Sequence, residues 1–170
     1  MKFLPLLLLV LLPLSLHASL EDLFGPSLVD AKGDPVELSA LEGKVVGLYF
    51  SAEWCPPCRK FTPTLVEARD QNKSDFEVVF VSSDESEKDQ QKYMKGYRMK
   101  WPAVPFDSQK REELGAKFGV SGIPALVIVD SEGNLISAQG RREISQDARE
   151  AIRNWKKAAK SGKAAEVSEE

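Results

Sequence analysis

Val45-Val46-Gly47-Leu48-Tyr49-Phe50-Ser51-Ala52-Glu53-Trp54-Cys55-Pro56-Pro57-Cys58 runs from a nearly continuous apolar segment of strand length into two cysteines separated by two residues. An apolar run of this length suits a strand covered on both faces. Beyond it, Phe61, Leu65 and Ala68 recur at helical spacing, which predicts a helix from Arg59 to about Gln71. Pro56 and Pro57 suit the first turn of a helix, where a missing amide costs nothing, whereas Pro63 is expected to kink it. A second apolar run from Phe76 to Ser82 completes a β-α-β unit and so a parallel pair of central strands.

The two cysteines are the only ones in the chain. A bridge between them closes so small a ring that it constrains the unfolded chain little, which disfavours a structural clamp. A zinc site fails for want of ligands, because the single histidine, His17, lies in the N-terminal apolar segment. A redox-active dithiol is the remaining reading. Cys55 comes where strand turns to helix, so unpaired amides and the helix dipole favour its thiolate there, with Arg59 adding to that field. Cys55 is expected to be the exposed nucleophile and Cys58, a turn further on and buried, the thiol that resolves the mixed disulfide. Trp54 is read as a shield and contact surface beside the nucleophile.

Around this centre, residues 27–30 and 35–38 read as an N-terminal hairpin. Helices are expected over 85–98 and 109–118, with an ordered, proline-containing loop at Trp101–Phe106 between them. Strands at 125–130 and 135–139 form a second hairpin, and Ser145 is expected to cap a last helix carrying Ala148, Ile152, Trp155 and Ala159. The domain spans 19–160, followed by a polar tail, 161–170, expected to be disordered. Residues 1–18, with Lys2 before an apolar stretch, read as a cleaved signal peptide; an uncleaved anchor is the alternative, although the run falls short of the roughly 20 residues a span needs. The expected location is the lumen of the secretory pathway or outside the cell. Asn72-Lys73-Ser74 fits the glycosylation acceptor pattern. With 23 basic against 26 acidic residues, the chain carries no footprint for nucleic acid.

From about Ser27 to Lys160 the sequence resembles the thioredoxin superfamily, through Ala52–Cys58, Pro63 and Gly122-Ile123-Pro124. The resemblance implies an α/β thioredoxin fold, with a mixed central sheet, helices on both faces and the N-terminal hairpin. It also implies that Pro124 is cis and stands opposite the dithiol, with Ile123 offering its backbone to an extended substrate. The Trp-Cys-Pro-Pro-Cys motif with Arg59, the run Phe80–Asp84 and the Trp101–Phe106 segment look like the tryparedoxin and nucleoredoxin branch. Tyr49 stands where thioredoxins place a buried aspartate, and a phenol is a poor base at neutral pH. The implied activity is disulfide reduction without cofactor or metal, by a monomer acting on a protein disulfide or a small thiol and recharged by an unidentified donor. Pro57, where disulfide isomerases carry histidine, favours reduction over oxidation or isomerisation in the secretory pathway. A peptide-binding, chaperone-like module using a groove around Trp54, Ile123 and Trp101 is the reading from another class.

Overall fold

The computed structural model of the chain describes residues 20–161, so the expected signal peptide at 1–18 and nearly all of the expected disordered tail, from residue 162 onward, lie outside the described residues. In chain order the elements are α1 (Leu20–Phe24), β1 (Leu28–Val29), β2 (Pro35–Val36), a 3-10 turn at Leu38–Leu41, β3 (Val45–Ser51), α2 (Pro56–Gln71) and β4 (Phe76–Ser82). There follow α3 (Glu87–Gly96), α4 (Lys110–Lys117), β5 (Ala125–Val129), β6 (Leu135–Ser137) and α5 (Gly140–Ser161). The sheet order is β4-β3-β5-β6, with β3 parallel to β4 and antiparallel to β5, and β5 antiparallel to β6.

Side chains on the central strands alternate between two cores, as the pleat requires. Val45 and Tyr49 of β3, Phe76, Val78 and Phe80 of β4, and Leu126 and Ile128 of β5 face one side. There they meet Phe61 and Leu65 of α2, Tyr93 and Met94 of α3, and Ile152 and Trp155 of α5. Val46, Leu48, Phe50, Val79, Val81, Val127 and Val129 face the other side, covered by Leu23 and Phe24 of α1 and Leu114 of α4. Every residue of β3 and β4 is buried, which is why both read as nearly continuous apolar runs. One charge enters this interior: Glu77 of β4 accepts two hydrogen bonds from Arg69 of α2, each 2.7 Å, which fixes the helix end to the strand with the charge neutralised.

Several local readings are corrected. The N-terminal hairpin is shorter than the sequence suggests, because only Leu28–Val29 pair with Pro35–Val36 and Leu38 already opens a turn that buries Leu41. Trp101–Phe106 is a loop, but Ala103 bridges Val29 on one side and Phe80 on the other, and so ties the hairpin to the edge of β4. Helix α2 starts three residues earlier than expected, at Pro56, and contains the exposed Pro63. The last helix does not take its cap from Ser145, whose Oγ donates back to the Arg141 carbonyl at 2.9 Å. The backbone instead leaves the helix at Asp147 (φ −157°, ψ 100°), whose Oδ1 accepts the Glu150 N–H at 2.9 Å and caps the segment that carries Ile152 and Trp155. Asn72 closes α2, and its side-chain amide donates to the Ala68 carbonyl at 2.8 Å.

Gly140 starts α5 in close contact with β5: a Cβ there would lie 2.7 Å from the Leu126 carbonyl oxygen and 2.8 Å from the Ile128 side chain. The obstacle on one side is backbone, so the strand itself would have to move. Gly140→Ala is therefore expected to destabilise the domain by about 1–3 kcal/mol or more, read as a lower midpoint in urea unfolding.

Candidate active site

Cys55 and Cys58 are joined as a disulfide, with their Cα atoms 5.2 Å apart. Cys55 is the N-cap of α2, in extended conformation, and its Sγ accepts the Cys58 N–H at 3.3 Å. Pro56 and Pro57 occupy the first two helical positions. With no N–H of their own, they leave the Cys58 amide as the first donor of the helix, and it is aimed at sulfur. Negative charge on Cys55 is therefore favoured by a directed hydrogen bond as well as by the helix dipole. Contrary to the expectation of an exposed nucleophile, Cys55 is only 3% accessible, and Cys58 is fully buried. Ala52 packs beneath the pair and Ile123 against it, which accounts for the cover.

The turn that presents Cys55 is held through both backbone groups of a single residue, Glu53. The Glu53 N–H donates to Asp84 Oδ1 at 2.7 Å, and the Glu53 carbonyl accepts from Arg59 Nη1 at 2.6 Å. Arg59 thus spends a guanidinium hydrogen bond on the backbone of the turn, a task the sequence reading did not give it. Trp54 is the exposed large apolar residue of the described chain, 54% accessible, and its Nε1 donates to the Ser83 carbonyl at 3.1 Å. Its ring is tethered to the loop after β4 and presents its face to solvent beside the dithiol.

Beneath the resolving position lies a buried set of hydroxyls. Tyr49 Oη lies 2.9 Å from Thr62 Oγ1, which lies 2.6 Å from Tyr93 Oη, which in turn lies 3.1 Å from Ser51 Oγ. Thr62 Oγ1 donates to the Cys58 carbonyl at 2.9 Å, and Tyr49 Oη reaches the same oxygen at 3.3 Å. Burial pushes the Tyr49 phenol far above its ordinary value, so it stays neutral and serves as a hydrogen-bonding group. The position that carries an acid in thioredoxins is here part of a neutral network anchored on the backbone of Cys58.

The Ile123–Pro124 peptide is cis, at the start of β5. Ile123, half-buried, forms one end of a cleft of about 490 Å³ that also includes Trp54, Asp84, Arg111 and Gly122. Arg111 forms part of the wall, its Nη1 donating to the Ser82 carbonyl at 3.0 Å and its guanidinium stacked 4.1 Å from the Phe106 ring. Trp101 does not line this cleft. It is buried in the core, edge-on to Tyr49 at 6.4 Å between ring centres, which removes it from the groove assigned to it from sequence.

A strand-to-helix turn bearing a Cys-x-x-Cys disulfide, with Ile123 packed against it and a cis Ile123–Pro124 peptide leading into an antiparallel strand, matches known proteins closely. Residues 43–135 match the family model described as thioredoxin-like. The chain belongs to the thioredoxin-like family. Within it, the relatives mark the nucleoredoxin and tryparedoxin branch. Nucleoredoxin of Mus musculus is 44% identical over 131 residues, covering 75% of this chain and 29% of that one. Tryparedoxin of Trypanosoma brucei brucei is 44% identical over 121 residues, covering 69% of this chain and 83% of the relative. Among solved structures, tryparedoxin II complexed with glutathionylspermidine superposes with a TM-score of 0.67 at 38% identity, covering 73% of this chain and 88% of that one. This thioredoxin-like chain spans under a third of the length of the nucleoredoxins it matches.

Cys55, Cys58, Trp54, Arg59, Ile123 and Pro124 are thus brought to one end of the sheet. Asp84, Thr62, Tyr93 and Ser51 were not singled out from sequence. Asp84 had a signal available, since it follows β4 at the same sheet end as the dithiol, where parallel neighbours end together. The hydroxyls carried none, because a Thr and a Tyr 31 residues apart give no sign of meeting. Thr62→Val would leave two buried phenols short of a partner, and should cost about 1–3 kcal/mol in urea unfolding.

Proposed function

We propose that this protein is a thiol–disulfide oxidoreductase that reduces disulfides through Cys55 and Cys58. The observation that carries this reading is the Cys58 N–H directed at Cys55 Sγ on the first turn of α2. In the reduced protein the Cys55 thiolate attacks a substrate disulfide, forming a mixed disulfide and expelling the first substrate thiolate. Cys58, as thiolate, then attacks the Cys55 sulfur, expels the second substrate thiolate and closes the intramolecular bridge. Two electrons pass from the dithiol to the substrate, and a donor dithiol restores the reduced state by the same steps in reverse.

Trp54 and Ile123 flank the sulfur and form the contact surface, with Pro124 fixing the backbone direction at Ile123. Arg59 acts by holding the turn through the Glu53 carbonyl. A small thiol-containing substrate is compatible with the open cleft, and tryparedoxin II binds glutathionylspermidine in its complex. A protein disulfide in an extended segment is the other member of this substrate class. The site of action is the secretory lumen or the cell exterior, a reading supported by the apolar segment Phe3–Leu16. Among the described residues no helix is long and apolar enough to cross a membrane.

Insulin reduction with dithiothreitol as donor measures the activity. Wild type should accelerate precipitation of the insulin B chain, Cys55→Ser should abolish the acceleration, and Cys58→Ser should stall as a mixed disulfide visible by mass spectrometry. A Cys55→Ser protein as active as wild type would sink the reading. Mass spectrometry of protein from its native source should find the residues up to about Ala18 removed, and an intact Met1 would count against the assigned compartment.

A further inference from the structure

Among the described residues two carboxylates reach deep into the protein, Glu77 and Asp84, and they are treated differently. Glu77 is neutralised by Arg69. Asp84, only 6% accessible, takes part in no ion pair among the described residues. Its Oδ1 accepts the Glu53 N–H at 2.7 Å, its Oδ2 accepts the Ser82 hydroxyl at 2.7 Å, and its own N–H donates to Ser82 Oγ at 3.0 Å. Charged groups surround it without relieving it. Glu53 on the turn and Asp89 of α3 add negative charge, and Lys92 of α3 is paired with Glu53. Arg59 of α2 and Arg111 of α4 spend their hydrogen bonds on the backbone carbonyls of Glu53 and Ser82.

An asparagine at position 84 would keep the Glu53 N–H bond through Oδ1 and reverse the Ser82 bond, its Nδ2 donating to Ser82 Oγ, with no charge to desolvate. The fold therefore has no need of the carboxylate, and a charge kept without a counter-ion beside a reactive centre calls for a functional reason. We propose that Asp84 is a positioning residue for the dithiol: its carboxylate fixes the Glu53 peptide, and so the turn that presents Trp54 and Cys55, and supplies the fixed negative charge against which the thiols titrate. This rests on the reductase reading above. It also gives a carboxylate to a site whose usual acid position is occupied by the neutral Tyr49, with Asp84 placed above the turn and the hydroxyl network below it.

The charge carries a cost whose sign can be read. Burial holds the Asp84 carboxyl above the ordinary range, against the opposing hydrogen bonds from Ser82 and Glu53. The protonated form thus contributes stability that is present in full below the unfolded value, 3.8, and is lost as pH rises through the folded one. At about pH 7, Asp84→Asn should raise the thermal midpoint, and at about pH 3 it should not.

The test compares wild type, Asp84→Asn and Asp84→Glu in insulin reduction and in thiolate titration of the reduced proteins by absorbance near 240 nm. Asp84→Asn, which keeps the Glu53 hydrogen bond and removes the fixed charge, should lower kcat/KM by at least about tenfold. Its thiolate should form at lower pH, because a like charge has been removed. Asp84→Glu, which keeps the charge but displaces it by a methylene, should keep the wild-type titration while losing rate. Wild-type rate and titration in Asp84→Asn would overturn the proposal whatever its stability, as would identical titrations in the Asn and Glu variants. If wild type itself fails to reduce insulin, the reductase reading falls, and the titrations still decide whether Asp84 acts on the thiols.

Discussion

Burial of β3 on both faces and along both edges is the constraint from which the rest of the molecule follows. The strand is paired to β4 in parallel and to β5 antiparallel, and none of its seven residues reaches solvent. A parallel partner demands a crossover, and α2 is that crossover, so the helix must begin just past the end of β3. Cys55 stands at that junction. Its chemistry follows from its address: the first free amide of a helix and an apolar bed of Ala52 and Ile123 meet at one sulfur. The antiparallel partner, entering at the same end, brings Ile123 and Pro124 opposite without any local sequence signal linking them to the cysteines.

Much of this arrangement was legible because the central strands are buried on both sides. Residues 45–51 and 76–82 were assigned from continuous apolar runs and stand as strands over those spans. The later pair, 125–130 and 135–139, is placed correctly but drawn too long, because Asp130 is half-buried and accepts the Glu132 and Asn134 N–H groups in a turn, Ala138 and Gln139 are exposed, and strand propensity alone does not show where pairing stops. The dithiol and the cis-proline were legible from motif resemblance, at a spacing that physical rules alone would not have interpreted. The cap of the last helix was misplaced for a simpler reason: Ser145 and Asp147 are both good N-cap residues, and packing of Ile152 and Trp155 against the sheet, with Trp155 5.5 Å from Phe76, selects between them.

Polar groups whose partners are distant in sequence were the least legible. Arg59 was read only as a source of positive potential and also braces a carbonyl. Trp101 looked like part of a groove and is core. Asp84 entered the sequence reading only as the last letter of a run. In each case the side chain's role is set by which backbone group or ring faces it across the sheet, information that residue type and spacing do not carry.

The middle of the β4 edge is closed at Phe80, whose N–H donates to the Pro102 carbonyl and whose carbonyl accepts the Val104 N–H, while Ala103 of the same loop exchanges backbone hydrogen bonds with Val29. Pro102 and Pro105, beside these contacts, have no amides to offer. Open strand edges recruit other chains indiscriminately, and here that route is shut on one flank of the sheet. The proline-containing loop is a hem sewn along one margin of the fabric, so a visiting strand finds no edge there to extend.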